Sequence, residues 1–576
     1  MRLLNALTLQ LELFPDPVPD KTPYAILSHT WAHDEVCFDD MKDVSSAQYK
    51  AGFAKIRAAC AMTRHHGLGY IWVDTCCIDK SSSAELSEAI NSMFRWYKKS
   101  TVCFAFLSDL PQNSHETDLS ALRNCRWWTR GWTLQELIAP TNLIFFDECW
   151  NSIGRKLDLC GTIESITGIS RWVLDGSSLT SSVPLVKRMS WAAARDTTRI
   201  EDKAYCLLGI FDVNITMMYG EGSRAFIRLQ EEILGKTTDL SIFAWQASDH
   251  ANKYWGILAE SPAEFRNCSC IESSDDQFCF RDEISLTNRG VKIQTALQYV
   301  GDGTYMMDLH CYDETPHAPT SRRLGIYLQR ALDAYYRFRP EQTAPSEVVS
   351  LKRVARPIFL VSTADDGAAD FLETEKNSRK IFIEFPLSKP SYRLHDVRAV
   401  PETYWNAHEQ YFSIGGLSSF TCFVRFSITS IVLPPYGATT EETTSFILVC
   451  DLTTGPDFRI SLYAQTGLQS SGKPGEFIDP FADIDQYGPL GDAFSLSILR
   501  PGEREDRRVS MIHKDRRHNY TVLAGLCTNQ TPSFFVTVGV EQRIRMRFLA
   551  LPQPPGVRIF SVVIERISLL CKDYPD

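Results

Sequence analysis

Short apolar runs alternate with helical patterns over about the first 150 residues. The runs YAILSHTW, YIWVDTCCI and TVCFAFL are separated by helical stretches at 51–65 and 83–98, and a further run, LIFFD, follows. These runs are almost continuous in apolar residues, as is typical of parallel strands that helices cover on both faces. The pattern predicts an α/β core with a parallel sheet over about residues 20–150.

The pattern changes twice after the predicted core. From about residue 185 to residue 240 the sequence is helical, with a break at MYGEG, which predicts a helical annex that ends the first domain near residue 245. Beyond it, short strands such as TYMMDLHCYD and SFILVCDL are punctuated by turn residues. They predict a β-rich, β-sandwich-like region at residues 246–430 and 431–576, the second part being a separate domain or a continuation.

The charge balance excludes some classes of partner. The chain has 576 residues and a formal net charge of -10, from 60 basic and 70 acidic side chains. This balance gives no bulk attraction to nucleic acid, and the basic cluster at 504–517 is interrupted by acidic residues. No stretch approaches the roughly 18–20 apolar residues of a membrane span. We therefore expect a cytoplasmic protein without a nucleic-acid partner or a membrane span.

The seventeen cysteines do not indicate a metal site. Many lie within apolar runs, as Cys103 and Cys450 do, which is the usual environment of free, buried thiols. Cys76 and Cys77 are adjacent, and the sequence contains no CxxC pair of the kind that binds zinc. We expect neither a metal nor a cofactor.

Polar side chains concentrate in three segments at predicted strand ends or helix starts, where an open α/β sheet presents its ligand crevice. The first segment follows the strand YAIL and carries Ser28, His29, Thr30 and Trp31. Hydroxyl and imidazole groups at this position suit ligand binding. Helix capping with aromatic packing explains the same composition without a ligand, so both interpretations stay open.

The second segment, YIWVDTCCIDK, places Trp72 and Asp74 in a predicted strand. An unpaired carboxylate is costly to bury there, so Asp74 needs a partner. A buried arginine or backbone amides would give it a structural role, whereas a ligand ribose or a positioned water would give it a functional one.

The third segment, RGWTLQEL, carries Arg130, Trp132 and Glu136 and predicts a turn into a helix. Thr133 is a candidate N-cap with Glu136 three residues later, the spacing of a capping box. Alternatively, Glu136 lies in the crevice beside aromatic side chains, with a pKa tuned for substrate contact. The spacing does not separate these two interpretations.

Two nucleophilic mechanisms are disfavoured. Ser28, His29 and Asp74 could form a hydrolase triad, but there is no GxSxG motif, and adjacent residues on a strand point to opposite faces. A thiol nucleophile at Cys76 or Cys77 is better placed, yet thiols in such apolar surroundings more often pack in the core.

Taken together and in this order, the three segments resemble the heterokaryon-incompatibility (HET) domain of fungal incompatibility proteins. The similarity covers about residues 1–232 and includes the later segments RMSWAAARDTTRIEDKAYC and MYGEG. One departure is Ala32, where the family usually has glycine, and its methyl group narrows any close backbone approach. The resemblance implies an intracellular effector of self/non-self recognition and programmed cell death.

HET domains are in turn distantly similar to TIR domains, flavodoxin-like α/β modules of which many cleave NAD. This resemblance implies that Glu136 is catalytic and that Asp74 supports it. It implies a nucleotide site lined by Ser28, His29, Thr30, Trp31, Trp72, Arg130 and Trp132. NAD would be a substrate, and self-association through the HET domain is expected because neighbouring subunits often complete TIR-like pockets.

Two other functions fit the same resemblance. A non-enzymatic adaptor would transmit death by assembly with an unidentified partner, and the β-rich region would serve for recognition or inhibition. A scaffold of this family could also be recruited for small-molecule biosynthesis. If the β-rich region restrains the first domain, truncation after Trp245 is expected to increase toxicity.

Overall fold

A computed structural model of the chain describes two compact units, Met1–Arg330 with Ala334–Ala369, and Ala331–Asp333 with Asp370–Asp576. Within them, the described residues are 1–16, 18, 21–112, 120–248, 253–273, 283–301, 304–314, 322–331, 334–345, 355–364, 367, 370, 372, 379–385, 392–407, 410–415, 417, 419–432, 440–452, 457–464, 488–489, 494–497, 509–514, 518–527 and 533–542.

The first unit begins with a seven-stranded sheet. Its strands are β1 (Arg2–Asn5), β2 (Leu11–Leu13), β3 (Tyr24–His29), β4 (Tyr70–Trp72), β5 (Val102–Phe106), β6 (Leu143–Phe146) and β7 (Ser152–Arg155). They lie in the order β2-β1-β4-β3-β5-β6-β7, with β4, β3, β5 and β6 mutually parallel and antiparallel strands at both edges. The predicted α/β region with a mostly parallel sheet is confirmed.

Strand β3 lies in the middle of this sheet, and all six of its residues are buried. Ala25 is in register with Ile71 of β4 on one side and with Val102 of β5 on the other. Burial on both faces explains why the sequence of β3 is nearly continuous in apolar residues. The strand ends in Ser28 and His29, which therefore lie at the carboxyl edge shared by the parallel strands.

Helices connect the strands and cover the sheet. They are α1 (Val44–Ala47), α2 (Phe53–His65), α3 (Asp74–Cys77), α4 (Ser83–Lys99), α5 (Ser120–Arg123), α6 (Thr133–Ile138), α7 (Cys160–Thr167), α8 (Arg171–Leu174), α9 (Leu185–Ser190), α10 (Asp202–Tyr205), α11 (Leu208–Phe211) and α12 (Arg224–Leu234). In α4, the Ser82 side chain caps the first turn by accepting from the backbone N–H of Glu85. Its buried side chains recur with helical periodicity at Ala89, Ile90, Met93, Trp96 and Tyr97.

The predicted annex contains the four helices α9 to α12. A turn between α11 and α12 has Gly220 and Gly222 at φ 103° and 62°, where a side chain would be strained. Both glycine N–H groups donate to the Glu201 carboxylate, at 2.7 and 3.2 Å. The MYGEG motif is therefore a turn held by one acidic side chain.

The rest of the first unit holds a ten-stranded sheet. Its strands are β8 (Tyr254–Trp255), β9 (Ile271–Ser273), β10 (Ser285–Thr287), β11 (Gly290–Thr295), β12 (Leu297–Gly301), β13 (Thr304–Asp313), β14 (Arg322–Ala331), β15 (Ala334–Phe338), β16 (Ala344–Pro345) and β17 (Arg356–Leu360). One continuous apolar core runs from Leu3 to Leu360. Within it, the buried Trp245 indole donates to the carbonyl oxygen of Ile257 (2.8 Å). The domain limits at residues 245 and 430 stay predictions.

The second unit is rich in strands that form two six-stranded sheets. They are β18 (Arg379–Glu384), β19 (Tyr392–Val400), β20 (Trp405–Asn406), β21 (Tyr411–Gly415), β22 (Phe420–Val432), β23 (Thr440–Leu452), β24 (Asp457–Ala464), β25 (Gly488–Pro489), β26 (Phe494–Ser497), β27 (Val509–Lys514), β28 (His518–Cys527) and β29 (Ser533–Gln542). A strand-rich C-terminal region is confirmed, and its sandwich packing stays a prediction. The segments RIRMRFLAL and VRIFSVVIERI, whose apolar patterns also predict strands, lie outside the described residues.

No helix in the described ranges has the length and apolar character that crossing a bilayer requires.

Candidate active site

The carboxyl end of β3 carries a buried hydrogen-bonded cluster on one face of the sheet. The Ser28 hydroxyl lies 2.5 Å from the Glu136 carboxylate, to which it donates, and accepts from the Trp127 indole N–H at 2.8 Å. Ser28 and Trp127 have no exposed surface, and Glu136 is 5% exposed. We call Ser28, Trp127 and Glu136, with the neighbouring Tyr97, the glutamate cluster.

Burial dominates the electrostatics of Glu136. Loss of hydration raises the pKa of its carboxyl group to about 8, and the negative charge of Asp74 adds to the rise. The hydrogen bond from Ser28, the nearby Tyr97 hydroxyl and the positive charge of Arg195 oppose it. The Tyr97 hydroxyl itself donates to the carbonyl oxygen of Leu27 at 3.0 Å. The carboxyl group is therefore mostly protonated at neutral pH and ionises under mildly basic conditions. A titration in this range is typical of groups that exchange protons with substrates.

Glu136 does not belong to a capping box. Helix α6 begins at Thr133, Trp132 occupies the N-cap position, and no side chain caps the helix there. The Thr133 hydroxyl lies instead 2.5 Å from the carbonyl oxygen of Trp127 and 2.8 Å from that of Arg130. The capping interpretation of TLQE is wrong, because the glutamate turns toward β3 and not toward the start of its own helix.

Arg195 is a buried neighbour that the sequence did not single out. Its guanidinium donates through Nη1 to the carbonyl oxygen of Arg130 and to the Thr133 hydroxyl, both at 2.9 Å. Its Nη2 is buried and has no hydrogen-bond partner among the described residues. Burial lowers the pKa of Arg195 to about 10. The side chain connects the annex to the first turn of α6, one turn ahead of Glu136.

A second cluster lies beyond the other face of β3. Asp74 is the first residue of α3 and not part of a strand, because β4 ends at Trp72; the strand prediction for Asp74 is wrong. Its carboxylate is only partly buried and accepts from the Trp31 indole N–H at 2.8 Å. The Lys80 ammonium lies 3.6 Å from the centroid of the Trp31 ring. We call His29, Trp31, Asp74 and Lys80 the tryptophan cluster.

His29 is the buried member of the tryptophan cluster. Its side chain is 1% exposed, and neither ring nitrogen has a hydrogen-bond partner among the described residues. Nε2 is 3.8 Å from Asp74 Oδ1, too far for a hydrogen bond. Burial and the charge of Lys55 lower the pKa of His29 to about 3. The imidazole is therefore neutral, with an unused donor and an unused acceptor.

The remaining predicted site residues lie elsewhere. Thr30 accepts from Arg126 at 3.2 Å, and Trp72 is buried in the core with its ring edge-on to that of Trp96. Arg130 donates to Thr198 (3.2 Å).

Trp132 lies near a different part of the annex, close to the Asp202 carboxyl group. The structure thus joins Ser28 to Glu136 and joins His29 and Trp31 to Asp74. It places Arg130 and Trp132 against the annex.

The disfavoured nucleophiles gain no support. Ser28 is hydrogen-bonded to Glu136 and Trp127, and the pKa of the Cys76 thiol is raised well above its ordinary value by the neighbouring Cys77 thiol and by burial. A thiol of that kind is a poor nucleophile. Within the described residues, no group of three or more His, Cys, Asp or Glu side chains is arranged to hold a metal ion.

Comparison with known sequences finds two family matches in the chain. Residues 24–124 match the family described as heterokaryon incompatibility protein (HET), and they contain the first two motifs and both strands that frame the tryptophan cluster. Over these residues the chain is similar to the HET domains of heterokaryon-incompatibility proteins. Residues 224–324 match a second family, described as a domain of unknown function (DUF8212).

A curated relative is similar to part of the chain. The vegetative incompatibility protein HET-E-1 of Podospora anserina is 48% identical over 219 residues, which are 37% of this chain and 16% of that protein. The chain thus matches only about one-sixth of the length of this curated relative. No solved structure is significantly similar to the chain.

Proposed function

We propose that this protein is an effector of fungal heterokaryon incompatibility that causes cell death by hydrolysing NAD or a related nucleotide in the cytoplasm. The observation that carries this proposal is the Glu136 carboxyl group, buried at the carboxyl edge of a parallel sheet with a pKa of about 8 and held by a serine from the central strand. HET-E-1, named as an incompatibility protein, supports the biological role.

The order of the parallel strands also supports a nucleotide site. Across the sheet, the four parallel strands lie in the order β4-β3-β5-β6. The first of them in the chain, β3, therefore lies between the second and the third. Doubly wound sheets of this order bind ligands beyond the carboxyl ends of the strands, where the order reverses. Here the reversal falls at β3, whose last two residues belong to the two clusters. A TIR-like fold is part of this proposal.

In the reaction, the bond between the ribose C1′ and the pyridinium nitrogen breaks, and its electron pair stays on the nitrogen of the departing neutral nicotinamide. The ribose acquires oxocarbenium character, which the ionised Glu136 carboxylate stabilises from close range. Water then bonds to C1′ and releases a proton. Since nicotinamide needs no proton to leave, the ionised carboxylate is the active form, and activity should rise with pH through about 8.

The direct test is nicotinamide release from NAD by the purified full-length chain and by Glu136→Gln, each at low and high protein concentration. We expect release by the wild type, increasing more than proportionally with concentration because self-association completes the site, and a loss of at least about a hundredfold in the variant. Glu88→Gln, which changes an exposed carboxylate on α4, is the matched control. Equal release by wild type and Glu136→Gln, or none by either, would contradict the proposal.

One observation favours a second function, a non-enzymatic adaptor that signals by assembly. The glutamate cluster is closed, since Glu136 is 5% exposed and its partners Ser28 and Trp127 are fully buried. A network of this kind also holds α6 against β3 without any chemistry. Under this function, folded Glu136→Gln keeps its toxicity in cells and its ability to assemble. Under the enzymatic function it keeps assembly and loses toxicity.

A further inference from the structure

Trp31 is a large aromatic side chain that is 51% exposed and nevertheless fixed in orientation. Its indole N–H donates to the Asp74 carboxylate at 2.8 Å, and Asp74 is itself positioned by the start of α3. A ring held at one edge by a hydrogen bond presents a constant face to solvent. An exposed ring of this kind is a preformed platform for a planar group, since little ordering is needed when a ligand stacks on it.

One face of this platform already holds a positive charge. The Lys80 ammonium lies 3.6 Å from the Trp31 ring centroid, well inside the range of a cation–π contact. The Asp74 carboxylate at the edge of the same ring makes the surroundings more favourable for a cation. Both the π electrons of the Trp31 ring and the neighbouring Asp74 carboxylate therefore favour a positive charge on this platform.

The third feature is the buried His29 beside Asp74. Both of its ring nitrogens lack hydrogen-bond partners among the described residues, and Nε2 points to within 3.8 Å of the Asp74 carboxylate. Buried polar groups are normally satisfied, so an unused donor and acceptor here indicate a missing partner. A carboxamide, which carries both an acceptor oxygen and donor hydrogens, has the complementary chemistry.

We propose that the face of the Trp31 ring over which Lys80 lies is the binding site for a planar cationic ring, a pyridinium bearing a carboxamide, and that Lys80 is the resident cation which such a ring displaces. This inference rests on the proposed function and names the part of the substrate that the tryptophan cluster recognises. Lys80 then acts as an internal competitor, and its removal strengthens binding of the cationic ring.

The test uses 1-methylnicotinamide, a pyridinium with no glycosidic bond to cleave, and neutral nicotinamide as its uncharged counterpart. Binding to the full-length chain is measured by calorimetry. We expect 1-methylnicotinamide to bind more tightly than nicotinamide, and Lys80→Met to tighten it by roughly three- to tenfold, the size of one cation–π contact. Trp31→Leu should weaken binding by a similar factor, and Trp31→Phe should fall between. Lys99→Met, an exposed lysine at the end of α4, should bind like the wild type.

Three results would overturn the inference. They are no binding of 1-methylnicotinamide to either the wild type or Lys80→Met, no gain in Lys80→Met, and unchanged binding in folded Trp31→Leu. Nicotinamide release from NAD, measured on the same proteins, separates this inference from the proposed function. If 1-methylnicotinamide binds with these variant effects but no nicotinamide is released from NAD, only the enzymatic function is contradicted. Release that persists undiminished in Trp31→Leu sinks the pyridinium site alone.

Discussion

Ser28 and His29 are neighbours in β3, yet their side chains lie in contrasting surroundings. Ser28 belongs to the glutamate cluster, where its buried hydroxyl donates to the Glu136 carboxylate at 2.5 Å and accepts from the Trp127 indole N–H at 2.8 Å. His29 belongs to the tryptophan cluster, where a buried imidazole has no partner among the described residues and an exposed tryptophan lies alongside. Because successive side chains of a strand alternate in direction, one strand end supplies both environments. The closed side holds a carboxyl group with a raised pKa, and the open side suits recognition.

The two clusters should affect stability with opposite dependence on pH. The folded-state pKa of Glu136, about 8, exceeds its ordinary value of 4.5, so the folded chain holds a proton that the unfolded chain releases. The folded-state pKa of His29, about 3, is below its ordinary 6.5, so the unfolded chain binds a proton that the folded chain does not. Their effects on the slope of unfolding free energy against pH should cancel between pH 4.5 and 6.5. Below that window only His29 should contribute a slope, and above it only Glu136.

The largest expected effect belongs to Glu136→Gln. In the wild type, the stability contributed by protonated Glu136 is fully present below pH 4.5 and is lost as pH rises through about 8, at roughly 1 kcal/mol per pH unit. Glutamine is neutral at every pH and should remove this decline between pH 6.5 and 8, as measured by urea unfolding. Glu88→Gln should keep it. An undiminished decline in Glu136→Gln would show that another group causes it.

His29→Phe should remove the opposite slope. The neutral imidazole stabilises the fold above pH 6.5, and this contribution is lost as pH falls toward 3, again at roughly 1 kcal/mol per pH unit. Phenylalanine has no titratable group, and the substitution breaks no hydrogen bond of His29 among the described residues. The free energy of unfolding at pH 7 should therefore change by less than about 1 kcal/mol. His65→Phe, at an exposed position on α2, should leave the acid slope intact. A cost of several kcal/mol at pH 7 would mean that His29 has a partner in the folded chain.

The sequence predicted the sheet better than it predicted the clusters. Continuous apolar runs identify buried parallel strands, so β3, β5 and β6 were foreseeable from local pattern alone. The contact of Ser28 with Glu136 joins residues 108 positions apart, and no local pattern contains it. The local pattern left Glu136 open between a capping box and a crevice residue, and only the family resemblance implied a catalytic role for it.

Two local patterns misled for different physical reasons. The apolar run around Asp74 continues past the end of β4, because the following helix α3 buries its own Cys76 and Cys77. The TLQE spacing fits a capping box, but both side chains hydrogen-bond to residues elsewhere in the chain. Ser28 donates to Glu136, and Arg195 donates to Thr133. In the second case, contacts from elsewhere in the chain decide the roles of residues whose local pattern suits another.

Arg195→Gln tests whether the annex controls the glutamate cluster. The substitution removes two charge-assisted hydrogen bonds to the start of α6, which should lower the free energy of unfolding by roughly 2 kcal/mol. Loss of the positive charge should also raise the pKa of Glu136, so that the decline in stability extends to higher pH. Arg130→Gln, whose guanidinium contacts Thr198, is the matched control and should not move that limit. If the decline in stability of Arg195→Gln ends at the same pH as in the wild type, the annex does not control the pKa of Glu136.

Ser28→Ala gives the smallest effect and tests the closed side most directly. It removes a donor to Glu136 and the acceptor of the Trp127 indole, at a cost of roughly 1 kcal/mol. Since the hydrogen bond from Ser28 favours the carboxylate, its loss should raise the pKa of Glu136 and shift any rise of NAD hydrolysis to higher pH. Ser190→Ala removes a hydroxyl that donates to Lys187 in its own helix, and it should shift neither the pKa of Glu136 nor the pH profile of NAD hydrolysis. If Ser28→Ala leaves the pH profile unchanged, the serine holds α6 in place without tuning the glutamate, and the contrast between the two faces of β3 concerns packing alone.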